Sequence, residues 1–147
     1  MKCRMLGVCD TLSDRLSSIK DIPLLFIRIV LAYGFWNSGI MKWQNIDSIA
    51  EWFAGMGIPF PTLNAYLSAS AEVIGAILLL AGFAVRYISI PLMIIMIVAI
   101  TTVHMGNGFE VGDNGFEIPL YYLIMLFTLF VYGGGKYSVE GLIRKLS

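Results

Sequence analysis

Apolar residues occupy four long stretches of this 147-residue chain, and short polar segments separate them. The stretches cover about residues 22–43, 63–85, 88–105 and 117–134. Roughly 20 apolar residues, each rising about 1.5 Å in an α-helix, cross a hydrocarbon core of about 30 Å. The pattern therefore predicts an all-α integral membrane protein, a bundle of four transmembrane helices in a single membrane domain over residues 1–147.

The segments outside these stretches carry weaker signals. Residues 1–20 are mixed in polarity and are expected to form an amphipathic tail on the cytoplasmic membrane surface. The apolar run begins only at Ile22 and has full length, unlike a signal peptide, so the first span should be retained. Within residues 46–56, apolar residues recur at spacings of 3, 4 and 3, which predicts a short interfacial helix that ends at Gly55 and Gly57.

The composition agrees with a membrane protein: 58% of the residues are hydrophobic, 14% are charged, and the mean hydropathy is +0.79. The formal net charge is zero, yet eight of the ten Lys and Arg residues lie in the two tails and at Arg86, where Arg86 and Tyr87 should form a tight turn. By the positive-inside rule, both termini are expected in the cytoplasm. No basic cluster stands out along the sequence, which argues against nucleic-acid binding.

The first stretch contains charged residues that need partners in lipid. Arg28, Ala32, Phe35, Gly39 and Lys42 follow one another at spacings of 4, 3, 4 and 3, so they share one helical face. In lipid, charged side chains turn toward protein or a water-filled cavity, and small residues let helices approach closely. This face is therefore expected to point into the bundle.

The second stretch places an acid among small residues. Glu72 shares a helical face with Gly75 and Gly82, and helical rise puts it about 13 Å below the outer end of its span. Other polar residues lie near this level, so the outer half of the bundle is expected to hold a pocket, with Arg28 beneath it. The expected lining is Trp36, Asn37, Lys42, Glu72, His104, Glu117 and Tyr121.

Each ionisable residue of this pocket has a structural and a functional interpretation. Glu72 either pairs with Lys42 or Arg28 and only fastens helices, or it exchanges a proton or binds a ligand. Arg28 has the same two interpretations, and its depth of about 8 Å also permits snorkelling. Lys42 is either an interface anchor or a pocket residue. His104, the single histidine, is a polar residue at a helix end or a group that protonates, binds a quinone carbonyl or binds a metal.

The sequence predicts neither a metal site nor a built-in cofactor. Eight methionines raise the question of Cu(I), which thioethers bind, but Met93 and Met96 lie in an apolar helix where pliable core packing is the favoured explanation. Cys3 and Cys9 have no histidine or further cysteine near them in the sequence. A cytoplasmic tail also disfavours a disulfide between them.

Four segments carry a family resemblance: IRIVLAYGFWNSGIMKW, GIPFP, SAEVIGAILLLAGFAVRY and NGFEIPLYYLIMLF, in this order over about residues 22–138. Through them the chain resembles the DoxX family of small bacterial membrane proteins, in particular its HvfX-like branch. The family pattern has an Arg early in the first helix and a Gly and a Lys at its end, which match Arg28, Gly39 and Lys42. It also has a Glu before small residues in the second helix, which matches Glu72.

The resemblance implies a four-helix bundle in the bacterial inner (plasma) membrane. Some members are subunits of thiosulfate:quinone oxidoreductase or associate with redox enzymes, and HvfX-like members are associated with copper-binding ribosomal peptides. The leading hypothesis is thus a subunit that binds a lipid-soluble redox molecule, expected to be a quinone, beside a redox partner. Glu72 would exchange a proton, while Arg28 and Lys42 would compensate charge or hold carbonyl oxygens. Trp36 and Tyr121 would pack on the ring.

The alternative hypothesis is a non-catalytic assembly or export helper for a copper-binding peptide or a membrane complex. His104 and the acidic loop before Glu117 would then meet copper-peptide maturation proteins, and the buried charges would be structural. A small-solute carrier is disfavoured, because neither inverted repeats nor Gly/Pro-broken helix pairs occur. Whether the chain is itself an enzyme, and whether it forms a homo-oligomer in the lipid bilayer, stays open at this point.

Overall fold

The computed structural model describes residues 19–146, and this part of the chain is all-helical. Most of the predicted amphipathic tail, including Cys3 and Cys9, lies outside the described residues. The helices are α1 (Asp21–Gln44), α2 (Ile46–Gly55), α3 (Pro61–Ala81), α4 (Val85–Ala99), α5 (Glu117–Tyr132) and α6 (Val139–Leu146). A π-helical turn (Ile100–His104) and a 3-10 turn (Met105–Asn107) extend α4, and a second 3-10 turn covers Val111–Asp113.

Within residues 19–146, three helical segments are long and apolar enough to cross a membrane: α1, α3 and the continuous segment Val85–Asn107. The fourth predicted span corresponds to α5, which is apolar but has 16 residues and a length of about 24 Å. The helices therefore agree with a membrane protein in which at least these three long segments suit the hydrocarbon core. The crossing of α5 and the orientation of the termini stay predictions.

The bundle is built from two helix pairs. Helix α1 packs along α3, and α4 packs along α5, while α2 folds back on α3. Between the pairs lies a core of Leu31, Phe35, Leu79, Leu92, Leu126 and Leu129, with exposures of 1% or less. Apolar side chains on the outer faces of the helices stay exposed, as expected for a protein whose surroundings are lipid.

The close approach of α1 and α3 depends on the small residues of the predicted inward stripe. A Cβ atom added to Gly39 would lie 2.8 Å from Val73 Cγ2 and 3.0 Å from the backbone nitrogen of Val73. Arg28, Ala32 and Phe35 of the same stripe are buried, as the spacing predicts. The stripe is therefore the surface through which α1 meets the rest of the bundle.

The turn between α3 and α4 differs from the prediction. Gly82 adopts a left-handed conformation with φ 72°, and its amide donates to the carbonyls of Leu78 and Leu79, which ends α3. The chain then turns at Phe83 and Ala84, so Arg86 and Tyr87 lie in the first turn of α4. The expectation of a turn at Arg86 and Tyr87 was wrong, because Gly82 caps α3 and starts the turn four residues before Arg86.

Candidate functional site

A cavity of about 730 Å³ lies within the helix bundle. All five helices from α1 to α5 contribute to its wall, and most of the lining side chains are apolar. Its ionisable residues are Lys42, Glu72, His104 and the phenol Tyr122. The structure therefore brings together three of the side chains that the sequence assigns to one pocket.

Lys42 and Glu72 form an ion pair at the wall of this cavity. Lys42 comes from the last turn of α1 and Glu72 from the middle of α3, and the close packing of these helices sets their separation. Lys42 Nζ lies 2.6 Å from Glu72 Oε1, and the two side chains are 13% and 1% exposed. Of the two partners considered for Glu72, the structure selects Lys42.

The second carboxylate oxygen of Glu72 is unusual. Glu72 Oε2 is buried and has no hydrogen-bond partner among the described residues. A buried polar atom without a partner costs about 1–3 kcal/mol, and such atoms are rare in folded proteins. A hydrogen bond to this oxygen would therefore break no other hydrogen bond among the described residues.

His104 lies where α4 departs from α-helical geometry. It ends the π-helical turn, a distortion that is frequent at functional sites. His104 Nδ1 is 2.8 Å from the carbonyl oxygen of Asn114, which can only accept a hydrogen bond. Nδ1 therefore donates a proton to that bond, and Nε2 is the nitrogen left for other chemistry.

Aromatic residues that the sequence interpretation missed form part of the wall. Tyr122 packs edge-on against Phe35 at a centroid distance of 5.5 Å, and α2 contributes the adjacent rings of Trp52 and Phe53. A signal for Tyr122 exists, because residues 119, 122, 126 and 129 share a helical face at spacings of 3, 4 and 3. The predicted choice, Tyr121, is on the neighbouring face.

Four of the predicted pocket residues do not line the cavity. Trp36 is 44% exposed and Asn37 is also exposed, both on the outer side of α1. Tyr121 Oη donates to Glu117 Oε1 at 2.9 Å, and the backbone nitrogen of Val111 donates to Glu117 Oε2 at 3.0 Å. Glu117 therefore closes the loop before α5, and Tyr121 supports it from the next turn of that helix.

Arg28 is buried, but it does not line the cavity; it joins separate chain segments by hydrogen bonds to their backbone carbonyls. Its guanidinium donates to Leu79 O at 2.8 Å, Leu80 O at 2.9 Å, Gly134 O at 2.9 Å and Tyr137 O at 2.8 Å. Residues 28 and 42 are about 21 Å apart along α1. The side chain thus joins the end of α3 to the segment after α5 and does not snorkel.

The structure shows where potential metal ligands and methionines lie within the described residues. Within residues 19–146, no group of three or more His, Cys, Asp and Glu side chains could hold a metal ion. Met93 packs against the buried core, and Met96 packs there too while lining the cavity. These positions agree with the packing explanation for the methionines.

Comparisons with known proteins give a family match and three relatives. The DoxX family model matches residues 23–105. A Haemophilus influenzae protein of uncharacterised function is 33% identical over 86% of this chain and 87% of its own length. A Bacillus subtilis protein named "Putative oxidoreductase CatD" is 28% identical over 74% of this chain and 76% of its own. An Escherichia coli relative, "Inner membrane protein YphA", is 32% identical over 48% of this chain and 51% of its own length. No solved structure matches the chain significantly.

Proposed function

This chain belongs to the DoxX family of membrane proteins, and on that premise we propose that it is a membrane subunit that binds a quinone in the cavity described above. An oxidoreductase partner would exchange electrons with the bound quinone. The observation that carries the proposal is Glu72 Oε2, a buried acceptor without a hydrogen-bond partner on a residue of the cavity wall.

The size and lining of the cavity suit a quinone head group. A volume of about 730 Å³ lies inside the range of about 300–1,000 Å³ that is usual for small-molecule sites. A quinone has a flat apolar ring that packs on other rings, and two carbonyl oxygens that need donors. Trp52, Phe53 and Tyr122 offer the rings, and Lys42 offers donors.

The polar side chains can carry the protons of the reaction. Reduction of a quinone to a quinol takes two electrons and two protons. One of the three N–H donors of Lys42 is used by Glu72 Oε1, so another can donate to a quinone carbonyl. Glu72 Oε2 would accept a hydrogen bond from the quinol hydroxyl and exchange one proton, and His104 Nε2 would exchange the second.

The electrons would come from, or go to, the partner enzyme. Carboxylate, ammonium and imidazole groups exchange protons but do not store electrons, so these residues serve the proton half of the reaction. The oxidoreductase name of the Bacillus subtilis relative supports the assignment to redox chemistry. We place the quinone subunit in the bacterial inner membrane, as the name of the Escherichia coli relative suggests.

The topology that fits this function has four crossings, with α5 as the fourth. Both termini would then lie in the cytoplasm, and α2 would lie at the outer membrane interface. Trp43 and Tyr66 pack together at 5.5 Å, and Trp52 is 48% exposed, as expected for aromatic residues at head-group level. The cavity would open in the outer half of the bundle.

Quinone binding can be tested by tryptophan fluorescence on the purified protein in nanodiscs, with a short-chain ubiquinone as the probe. Trp52 lines the cavity and Trp36 does not, so quenching should be lost in Trp52→Phe and kept in the matched variant Trp36→Phe. Equal quenching in both variants would mean that the quinone partitions into lipid, and it would contradict the proposal.

The role of Glu72 is tested by the isosteric change Glu72→Gln. Loss of the carboxylate should weaken quinol binding by about tenfold, the equivalent of roughly 1.4 kcal/mol, and should flatten its pH dependence. The matched control is Glu51→Gln, which removes an exposed carboxylate of α2 outside the cavity wall. If both variants bind quinol like the original protein, Glu72 has no proton-exchange role.

One observation favours the alternative hypothesis of a non-catalytic assembly or export helper, and this hypothesis predicts different binding results. The loop before α5 exposes Phe109 by 47% and Val111 by 54%, which could contact a partner protein. A copper-binding peptide should then bind irrespective of Glu72→Gln and lose affinity in Phe109→Ser. Peptide binding without quinone binding would favour the helper over the quinone subunit.

A further inference from the structure

A second concave surface lies at the opposite end of the molecule from the Lys42–Glu72 pair. It has a volume of about 660 Å³ and is bounded by the start of α1, the start of α4, the glycine-rich segment 133–136 and α6. We call it the basic cleft. The function proposed above uses none of its residues, and the family match ends before α5 and α6 begin.

Positive charge dominates this cleft. Arg86, Lys136, Arg144 and Lys145 line it, against the carboxylates of Asp21 and Glu140. Asp21 is already engaged, because its Oδ1 accepts a hydrogen bond from the backbone nitrogen of Lys136 at 3.0 Å and its Oδ2 lies 3.7 Å from Lys136 Nζ. The carboxylates therefore leave an excess of cationic donors.

The cationic side chains keep donors for a ligand. Arg86 uses Nη2 in a 3.2 Å bond to the carbonyl of Val131, which is an exposed contact, and the rest of its guanidinium fork is available. The Lys136 side chain is 67% exposed. An oxyanion that enters the cleft can thus be contacted by several donors from different chain segments at once.

Helix α6 indicates what kind of anion fits. Its polar residues Arg144 and Lys145 line the cleft, while Val139, Leu142 and Leu146, at spacings of 3 and 4, are 41%, 58% and 82% exposed. A short helix with a basic face and an apolar face lies in the plane of a membrane surface. An occupant of the cleft would therefore have its anionic group beside acyl chains.

The geometry points to a binding site for an anionic phospholipid in the basic cleft. The phosphodiester would lie among Arg86, Lys136, Arg144 and Lys145, and the acyl chains would follow the exposed apolar surface of α4 and α6. Basic pockets between helices at a membrane surface are known to bind anionic head groups, and charge complementarity favours phosphatidylglycerol over the zwitterionic phosphatidylcholine. The lipid would hold α6 against the end of the bundle.

Native mass spectrometry of the delipidated full chain in non-ionic detergent can test this, with phosphatidylglycerol, phosphatidylcholine and inorganic phosphate as probes. Phosphatidylglycerol should bind at least about tenfold more tightly than phosphatidylcholine. Lys145→Gln should lower phosphatidylglycerol affinity about fivefold, the equivalent of roughly 1 kcal/mol per basic residue at a membrane surface, without changing phosphatidylcholine binding. Arg86→Gln is a second variant with the same expected direction.

The matched control is Lys20→Gln, which removes one positive charge next to Asp21 but outside the cleft lining. It should leave phosphatidylglycerol affinity within about twofold, since this charge is exposed and screened. Equal losses in Lys20→Gln and Lys145→Gln would mean diffuse surface attraction and would overturn the site. No preference for phosphatidylglycerol, or its displacement by millimolar inorganic phosphate, would overturn it too.

Discussion

Replacement of Arg28 by methionine tests whether this buried cation belongs to the fold or to the quinone site. The guanidinium joins the carbonyls of Leu79 and Leu80 at the end of α3 to those of Gly134 and Tyr137 after α5. The last carbonyls of a helix lack the usual partner four residues further on, and Arg28 supplies donors to them. Methionine has a similar length but no donor.

The expected cost follows from the two bonds that are fully buried, those to Leu79 and Gly134. A buried carbonyl left without a donor costs about 1–3 kcal/mol. Leu79 keeps a weaker bond from the amide of Gly82 at 3.2 Å, which lowers its share. Removal of a buried charge also recovers part of its desolvation cost. We therefore expect Arg28→Met to lower the free energy of unfolding by about 2–4 kcal/mol.

The assay is reversible unfolding in mixed micelles, together with quinone titration of the folded protein. Arg86→Met is the matched control, because Arg86 makes one exposed bond and should change stability by less than about 0.5 kcal/mol. Arg28→Lys should recover part of the stability and bind quinone within about twofold of the original affinity, since the two sites are distant. Unchanged stability in Arg28→Met, or lost quinone binding in a stable Arg28→Lys, would refute the reasoning.

Further variants test the ion pair of the cavity wall, the close packing of α1 and α3, and the loop before α5. Lys42→Met should lower the free energy of unfolding by about 3–5 kcal/mol, because the carboxylate of Glu72 stays buried and unpaired. Adding Glu72→Met should recover most of the lost stability. Additive losses in a double-mutant cycle would contradict an energetic coupling between the two residues. Gly39→Ala should cost about 1–3 kcal/mol in the same unfolding assay, whereas Gly55→Ala, which meets nothing within 4 Å, should be neutral or stabilising. Glu117→Ala should raise hydrogen exchange in the loop that its hydrogen bond from the backbone nitrogen of Val111 closes, and quinone affinity should stay within about threefold. A loss of quinone affinity of about tenfold would support the ligand-binding role predicted for this residue.

The sequence predicts the burial of the charged residues well, and the reason is physical. An ionic side chain within an apolar helix has to turn toward protein, and the spacing of small residues around Arg28 and Glu72 shows which face that is. Both side chains are 1% exposed. The helix bounds also follow from the apolar stretches, within a few residues at each end.

The sequence does not specify which groups meet across the bundle. Arg28 and Lys42 share one face of α1, so periodicity cannot decide which of them pairs with Glu72; the relative shift of α1 and α3 along their axes decides it. The rotation of α5 is similarly set by tertiary packing, and it selects Tyr122 over Tyr121 for the cavity. The π-helical turn that ends at His104 has no distinctive pattern of apolar residues, so the sequence does not predict where the imidazole ring of His104 lies.

The two buried charges of the bundle differ in how completely the fold uses them. Arg28 gives four of its five N–H donors to carbonyls, and these bonds hold three chain segments together. Glu72 pairs with Lys42 through Oε1, whereas its Oε2 has no hydrogen-bond partner among the described residues, and the residue lines a cavity. An acceptor without a partner can bind a ligand without losing a hydrogen bond of the fold, whereas donors that already bridge chain segments cannot be taken over without such a loss. Changes at residue 28 should therefore act on stability without affinity, and the isosteric change at residue 72, which also removes the ion pair with Lys42, should act on both affinity and stability.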